Sequence, residues 1–474
     1  MTRSLDPEDW QAFRQTAHAL LDEVIDHIAT IRDRPVWRQA DAAAKAHFTR
    51  PLPVSENPLE AVVDDVKTHV MPFATGNLHP LFMGWVHGAG TPTGMVAEIV
   101  SAGLNMNCGG RNHIGLDVER QIALWMSEAL GFPKTASGVF VTGSSMANFM
   151  AVVIARTRCL GPSVRVDGVV GQARQLIAYT SSEAHGCIAQ AMELSGLGSA
   201  QLRKIPVDDA GRIRTDRLKA AIAADRAEGH LPFLLVGTAG TVNTGAIDPL
   251  GRLAAIATEE SLWFHVDGAI GAMMGFSPAL RGLLEGVEQA DSIAMDFHKW
   301  GQVPYDAGFL LVKDPEAHRA AFAQPMAYLQ RAERGLAAGE IWPCDLGPDL
   351  SRGARALKTW MTIETLGSAR IGAAIERSCH LARSLAERLG ADPRLEIKAP
   401  VALNIVCFGI RGADRDMIRT IVMDLHEKGI AAPSWTTLNG EEVIRCALVN
   451  HRTSKADLER FIAALQALME HYAL

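Results

Sequence analysis

The chain has 474 residues, of which 48% are hydrophobic and 21% charged, the composition of a globular protein with room for two or three domains. Its 46 Lys and Arg against 53 Asp and Glu give a formal net charge of −7, which argues against nucleic acid and membrane surfaces as partners. Seven scattered cysteines without a CxxC pair predict reduced thiols in a cytoplasmic protein, with no disulfide framework and no metal site.

The first predicted element is an N-terminal helix over residues 6–34. Its apolar residues recur on one stripe: Trp10, Phe13, Ala17, Leu20, Leu21, Val24 and Ile28. Pro35 ends the helix, and residues 35–58, with Pro51 and Pro53, are expected to form an extended linker. No neighbouring core is available to the stripe, so we expect it to pack on a partner subunit. The acidic N-terminus does not resemble a signal peptide, and no run approaches the ~20 apolar residues of a spanning helix.

The middle of the chain alternates strand-like and helical patterns. Short apolar runs predict strands at residues 138–141, 176–179, 233–236, 263–266, 292–295 and 308–312. Helical patterns lie between them, for example at residues 116–130, 146–158 and 249–260. This alternation predicts an α/β fold in which a largely parallel sheet is covered by helices on both faces.

The pattern of the C-terminal third of the chain predicts a smaller structural unit. Residues 323–349 form a polar stretch with Gly and Pro that is expected to be a mobile loop, and a long helical stretch follows at 352–389. Strands are predicted at 401–408 and 443–448, and helices at 413–428 and 455–472. The expected units are therefore an N-terminal arm and linker (1–70), a large domain (71–350), and a connecting helix with a small domain (351–474).

The most informative segment runs from an apolar strand into His298 and Lys299, through a turn, and back into a second apolar strand. A lysine at a strand end beside a buried turn is placed to form a Schiff base with a carbonyl cofactor. A His-Lys pair alone is more often a surface feature.

A second strand ends in Asp267, followed by the small residues Gly268 and Ala269. A carboxylate in this position can keep the pyridine nitrogen of pyridoxal phosphate (PLP) protonated, and the small residues let the ring approach. The alternative is that Asp267 caps the next helix.

Three further segments place polar residues between a strand and a helix. Gly143, Ser144 and Ser145 could cradle a phosphate at a helix N-terminus, although helix capping alone would also explain the serines. His185 could lie flat over a bound pyridine ring, or it could be a capping or core residue. Thr241 follows another strand at the sheet edge where such folds bind ligands.

These five segments, in this order, resemble the group II PLP-dependent amino acid decarboxylases, which include the aromatic amino acid, glutamate and diaminobutyrate decarboxylases. The resemblance runs from about Pro58 to the C-terminus. It implies the PLP-dependent transferase-like fold (aspartate aminotransferase fold type I), with a mostly parallel sheet in the large domain and a small C-terminal α/β domain. It also implies a homodimer with a shared active site and a swapped N-terminal helix.

The resemblance implies roles for individual residues. Lys299 would carry PLP, Asp267 would bind the pyridine nitrogen, and His185 would stack on the ring. The remaining cofactor contacts would come from Gly143, Ser144, Ser145, Thr241, Ala269, His298 and Ser351. Tyr328, in the predicted loop, would donate a proton to the carbon that lost CO2. Arg445 would face the substrate carboxylate, or it would be a surface arginine on an edge strand.

The substrate side chain is left open between aromatic and polar. Phe82, Trp85 and His87 give the matching segment an aromatic and histidine character. Asn105 and Asn107 are polar and favour a substrate with hydrogen-bonding groups, or they only hold loops in place. Two departures from the family lie near the cofactor: Asp296 replaces an Asn found in many relatives, and Val242 stands where a second Thr commonly follows Thr241. The alternative reactions are oxidative deamination to an aldehyde, and aminotransferase or carbon–carbon lyase chemistry; a silent PLP-binding protein is a remote alternative.

Overall fold

The computed structural model describes residues 4–324, 329–339 and 341–474. The N-terminal arm consists of α1 (Trp10–Ala29), α2 (Ala42–His47) and α3 (Leu59–His69). Helix α1 is shorter than predicted because the Asp9 carboxylate caps the backbone N–H groups of Gln11 and Ala12, which fixes the start of the helix. The linker is not wholly extended, since Asp41 caps α2 within it. Neither α1 nor α3 contains a buried residue.

A mixed seven-stranded sheet forms the centre of the chain. Its strands are β1 (Ser137–Val141), β2 (Leu176–Ser181), β3 (Leu202–Ile205), β4 (Leu231–Thr238), β5 (Trp263–Asp267), β6 (Ser292–Asp296) and β7 (Gly308–Val312). Their spatial order is β1-β7-β6-β5-β4-β2-β3. Only β7 pairs antiparallel with its neighbours, so the predicted largely parallel sheet is confirmed.

Helices cover both faces of this sheet, as predicted. The helices in this part of the chain are α4 (Pro92–Leu104), α5 (Ile114–Leu130), α6 (Ser144–Leu160), α7 (Val164–Asp167), α8 (Cys187–Leu194), α9 (Thr215–Ala227), α10 (Leu250–Glu259) and α11 (Pro315–Phe322). Successive residues of a strand point to opposite faces. In β1, Phe140 packs into the core that contains Ile122 of α5, whereas Val139 and Val141 pack into the core that contains Met150 of α6.

The C-terminal third begins with α12 (Arg355–Gly390), two helical segments that meet at Gly367, where φ is 70°. A four-stranded antiparallel sheet follows, with β8 (Leu395–Ile397), β9 (Ile405–Ile410), β10 (Ser434–Leu438) and β11 (Glu441–Ala447) in the order β10-β11-β9-β8. Helices α13 (Arg415–Glu427) and α14 (Lys455–His471) match the predicted helices closely. Strands β3, β8 and β10 are short or partly polar, and their sequences did not predict them.

The sheet register brings the ends of several strands to one edge. Thr238 is the Cα partner of Asp267, and Asp296 is the partner of Gly308. A Cβ atom at Gly308 would lie 2.3 Å from the Cα of Gly143, so only glycine lets β7 approach the loop that starts α6. The fold therefore holds the α6 N-terminus against the ends of the central strands. None of the described helices is long and apolar enough to cross a membrane.

Candidate active site

A cavity of about 460 Å³ opens at the carboxyl edge of the large sheet. We call it the active-site cavity. Its walls come from residues 85–87, the N-terminus of α6, residues 185–187, the ends of β4, β5 and β6, and the turn that follows β6. Ligands of open α/β sheets bind at this edge because the parallel strands deliver their following loops to it.

Lys299 lies in the turn after β6 and points into the cavity. Its Nζ is 2.8 Å from Oδ2 of Asp296, the last residue of that strand. Burial alone would lower the pKa of Lys299, but the Asp296 and Asp267 carboxylates outweigh burial and raise it above its ordinary value. Lys299 is therefore an ammonium ion paired with Asp296.

The Asp296 carboxylate is buried and binds more than the lysine. It accepts hydrogen bonds from the backbone N–H of Ser144 at 2.7 Å and from the Ser144 hydroxyl at 2.7 Å. Burial works to raise the pKa of Asp296, but Lys299, His298 and these hydrogen bonds together lower it. Asp296 is thus an ionised carboxylate at the first turn of α6.

His298 is buried between the turn and the cavity. Its Nδ1 accepts a hydrogen bond from the backbone N–H of Ala307 at 3.0 Å, and its ring lies 4.4 Å from the Tyr305 ring, centroid to centroid. Burial lowers the pKa of His298 below its ordinary value, although the nearby Asp296 carboxylate opposes this.

Asp267 faces the cavity from the end of β5. Its Oδ1 accepts a hydrogen bond from the backbone N–H of Ala269 at 3.2 Å. Burial raises the pKa of Asp267 above its ordinary value, and the Lys299 charge offsets this only in part. Few groups of the chain therefore stabilise the negative charge of the Asp267 carboxylate, unlike that of Asp296.

Gly143, Ser144 and Ser145 line the cavity at the N-terminus of α6, with Gly143 as the N-cap residue. His185 and Ala269 also line it, and the His185 Nδ1 accepts a hydrogen bond from the backbone N–H of Cys187 at 3.1 Å. The structure therefore brings Lys299, His298, Asp267, Ala269, His185 and the α6 cradle around one space.

Phe82, Trp85 and His87 form an aromatic stack beside this space. The His87 ring lies 5.5 Å from the Phe82 ring at 15° and 5.8 Å from the Trp85 ring at 21°. Trp85 and His87 line the cavity, while Phe82 is buried behind them. Burial, and then the Lys299 charge, lower the pKa of His87, so that side chain is neutral.

Besides Phe82 and Arg445, four more of the predicted site residues lie outside the cavity of the single chain. The Thr241 hydroxyl accepts a hydrogen bond from the backbone N–H of Ala246, and Ser351 is exposed. Asn105 ends α4 with φ 45°, and the Asn107 Oδ1 accepts from the backbone N–H groups of Gly109 and Arg352. The roles predicted for these residues stay predictions.

Arg445 lies on β11, buried behind the cavity wall. It donates hydrogen bonds to the backbone carbonyls of Trp85 at 2.8 Å and Val242 at 3.0 Å, two residues that line the cavity. Burial lowers the pKa of Arg445, and no carboxylate of the described residues forms an ion pair with it. Tyr328, the predicted proton donor, lies outside the described residues.

Two polar residues of the cavity lining, Thr238 and Tyr305, are among those that the sequence did not predict. Thr238 ends β4 beside Asp267, and its buried hydroxyl has no hydrogen-bond partner among the described residues. Its place as the last residue of a parallel strand, like that of Asp267, was the available signal. Tyr305 follows the Lys299 turn, and nothing in its local pattern distinguishes it from a loop tyrosine.

The conserved domain described as the pyridoxal-dependent decarboxylase domain matches residues 43–411. The chain belongs to the pyridoxal-dependent decarboxylase family. It is a PLP-dependent carboxy-lyase that acts on an amino acid.

The similarity to known proteins extends over nearly the whole length of this decarboxylase. The chain is 29% identical to the aromatic-L-amino-acid decarboxylase of Bacillus atrophaeus, over 98% of this chain and 97% of that one. It is 28% identical to a phenylacetaldehyde synthase of Arabidopsis thaliana, over 94% and 93%. The crystal structure of Oryza sativa TDC with PLP and tryptamine superposes with a TM-score of 0.89 at 23% identity, covering 99% of this decarboxylase and 100% of that chain. This match establishes fold type I.

The residues of the decarboxylase site fit PLP. The Asp267 carboxylate, which the chain leaves poorly compensated, offers a partner for a protonated pyridine nitrogen, and the free Thr238 hydroxyl offers a further hydrogen bond. On the other side, Ser145 and the α6 N-terminus offer donors to a phosphate. Lys299 lines the same cavity, where it would bind the carbonyl group of the cofactor.

The ion pair between Lys299 and Asp296 predicts how the cofactor-free enzyme takes up PLP. Asp296→Asn keeps an oxygen for Ser144 but removes the charge that raises the Lys299 pKa. The pKa then falls, so more lysine is neutral amine at a given pH, about tenfold more for each unit of decrease. Uptake, followed by the visible absorbance of the bound cofactor between about pH 6.5 and 8.5, is expected to be faster and to shift to lower pH.

Asp117→Asn is the control for this substitution, because it also removes one carboxylate but lies on the surface, paired with Arg120. Its uptake profile is expected to match that of the unmodified enzyme. An Asp296→Asn profile that also coincides with the unmodified enzyme would show that Asp296 does not set the Lys299 charge.

Proposed function

We propose that this enzyme removes the α-carboxylate of an aromatic L-amino acid and releases the corresponding amine and CO2. The observation that carries the proposal is the convergence of Lys299, Asp267 and the α6 N-terminus on one cavity whose outer wall is an aromatic stack. The curated relative from Bacillus atrophaeus, an aromatic-L-amino-acid decarboxylase, supports the same substrate class.

In this proposal Lys299 holds PLP, Asp267 binds its pyridine nitrogen, and His185 covers the ring. Gly143, Ser144, Ser145 and His298 lie at the phosphate end. When bound, PLP accepts the electrons that remain on the substrate α-carbon after CO2 leaves. Binding must also fix which bond lies perpendicular to the ring, since that choice decides which bond breaks.

The aromatic stack supports an aromatic substrate. Aromatic pairs favour offset or edge arrangements with ring centroids about 4.5–7 Å apart, so Trp85 and the neutral His87 can extend their stack to a substrate ring. Asn105 and Asn107, which had favoured a polar substrate, are exposed on the surface of the single chain. Arg445 holds the backbone of Trp85 and Val242 in place, and we propose that it supports the substrate-facing wall from behind.

Tyr328 remains our proposed donor of the proton that returns to the α-carbon. A loop donor that closes over the site excludes water as it delivers the proton. The presence of both Tyr328 and His185 supports simple decarboxylation over aldehyde formation, since relatives that form aldehydes with O2 often replace one or the other.

The proposal is tested by incubating PLP-loaded enzyme with a panel of aromatic, acidic and basic L-amino acids. We expect amines one CO2 lighter than the parent from aromatic substrates, identified by mass spectrometry together with released CO2. The acidic and basic substrates are expected to react at least tenfold more slowly by kcat/KM, as a site that fits a planar side chain discriminates against charged ones.

Lys299→Ala is expected to abolish turnover, whereas Lys313→Ala, a lysine beyond the end of β7, should retain it. Aldehyde with hydrogen peroxide as the main product would assign oxidative deamination instead, and a keto acid without CO2 would assign amino transfer. Turnover of an acidic amino acid alone would keep the reaction and overturn the aromatic substrate.

We also propose a homodimer whose contact includes the N-terminal arm and α4. Helices α1 and α3 bury no residue of their own, and Trp10, Phe13 and Ile25 of α1 are exposed. Helix α4 likewise exposes Ile99 and Leu104, at 51% and 61%. Exposed apolar helix faces of this extent are typical of subunit contacts. Asn105 and Asn107 follow α4 directly, so a second subunit would meet them at the edge of this contact.

The dimer is tested by sedimentation equilibrium of the PLP-loaded enzyme. Val100→Glu on α4 is expected to raise the dimer dissociation constant by about tenfold or more, because a charge at a buried apolar contact is poorly tolerated. Val166→Glu, at an exposed valine of α7, should leave the association unchanged. A monomeric unmodified enzyme with full activity would contradict the proposal.

The cytoplasm is the compartment that we propose for the enzyme. All seven cysteines are free thiols in the structure, and five of them are buried. Buried reduced thiols fit a reducing compartment. A disulfide found by mass spectrometry in the protein isolated from its own cell would argue against this.

A further inference from the structure

A second cavity of about 630 Å³ lies at the surface between the second segment of α12 and the N-terminus of α14. We call it the basic cavity. Its α12 wall presents Arg377, His380, Arg383 and Glu387, which recur every three or four residues and so share one face of the helix. The opposite wall is residues 451–455.

The positive charges around the basic cavity form no ion pair among the described residues. Four cations line it: Arg377, Arg383, Arg452 and Lys455. Within the described part of the chain, no carboxylate oxygen comes within 4 Å of any of them, and Glu387 is the one acidic residue of the lining. By contrast, Arg388 points away from the cavity lining and pairs with Glu459 at 2.7 Å.

The guanidinium groups also keep most of their donors free. Among the described residues, the Arg452 side chain donates one hydrogen bond, to the Gly90 carbonyl at 3.4 Å, and Arg377 donates to the His451 carbonyl. Arg383 contacts the His380 ring nitrogen at 3.3 Å. Each guanidinium has five N–H donors in a fork that fits a phosphate or a carboxylate.

The arginine charges lower the pKa of the histidine on the buried side of the cavity. Burial first, and then the charges of Arg452, Arg377 and Arg370, lower the pKa of His451 to about 3. Burial also lowers the pKa of Arg452. The cavity therefore has an uncompensated positive potential that a bound anion would relieve.

The floor of the basic cavity is hydrogen-bonded to the active-site turn. The His451 Nδ1 lies 3.1 Å from Oε1 of Gln302, and the backbone N–H of Gln302 donates to the Lys299 carbonyl at 3.2 Å. Arg452 reaches the Gly90 carbonyl, three residues beyond His87. A ligand that draws Arg377 and Arg452 together thus acts on two segments that carry active-site residues.

We propose that the basic cavity binds a small multivalent oxyanion, a phosphate ester or a polycarboxylate, and that its binding alters substrate affinity at the active site. Several cations around one cavity of this size match a ligand with more than one anionic group. This inference goes beyond the proposed function and does not depend on which amino acid is the substrate.

The test uses PLP-loaded enzyme and isothermal titration calorimetry at fixed ionic strength, with pyrophosphate and citrate as separate probes. We expect at least one probe to bind, and the one that binds more tightly identifies the phosphate or carboxylate class. The double variant Arg377→Gln/Arg383→Gln should weaken binding by about tenfold or more, because two charge-assisted contacts are lost. Both arginines are exposed, so the folded enzyme is expected to persist.

Arg388→Gln is the matched control, since it removes a positive charge one helical turn away, outside the cavity, and should keep full affinity. The bound probe is also expected to change the KM for the amino acid in the unmodified enzyme but not in the double variant. No binding by either probe, or equal weakening in Arg388→Gln, would overturn the site. Binding without any change in KM would overturn its connection to the active site.

Discussion

The buried Asp296 carboxylate connects the parts of this enzyme that must meet. It ends β6, accepts two hydrogen bonds from Ser144 at the start of α6, and lies 2.8 Å from the Lys299 amine. A buried charge is tolerated only when it is paired and hydrogen-bonded, so these contacts constrain one another. One side chain therefore fixes the position of the lysine relative to the N-terminus of α6.

The two ends of the active-site cavity differ in electrostatics. Asp296 is fully compensated and its pKa lies below the ordinary value, whereas burial raises the pKa of Asp267. Neighbouring carboxylates whose surroundings move their pKa values apart typically have different functions. At the Asp296 end, Ser144 and Lys299 stabilise the negative charge of the carboxylate. At the Asp267 end, the chain leaves a carboxylate with little compensation, and we propose that the pyridine nitrogen of PLP binds there.

The sequence predicted the central strands and the residues at their ends for a physical reason. Strands β5 and β6 are buried on both faces and are therefore mostly apolar, so Asp267 at the end of β5 and Lys299 just after β6 stand out. The shared cavity could not be predicted from one segment, since Thr238 is recognisable only once β4 pairs with β5. Asp296 was visible only as a departure from the family pattern, because its contacts to Ser144 join residues far apart in the chain.

The small C-terminal sheet acts on the site from a distance. Among the described residues, none after Tyr305 lines the active-site cavity, yet Arg445 holds two of its wall segments and His451 contacts the turn of Lys299 through Gln302. A packed core transmits such contacts because it deforms little. Changes in this part of the enzyme are therefore expected to reach the active site through Trp85, Val242 and Gln302.

The attachment of PLP to Lys299 is the claim on which the whole account depends. The most direct measurement reduces the PLP-loaded enzyme with borohydride, digests it, and locates the pyridoxyl group by peptide mass spectrometry. The account predicts one modified peptide, with the added mass on Lys299. Modification of a different lysine, or no modified lysine in enzyme that carries PLP, would contradict the assignment of this cavity as the active site.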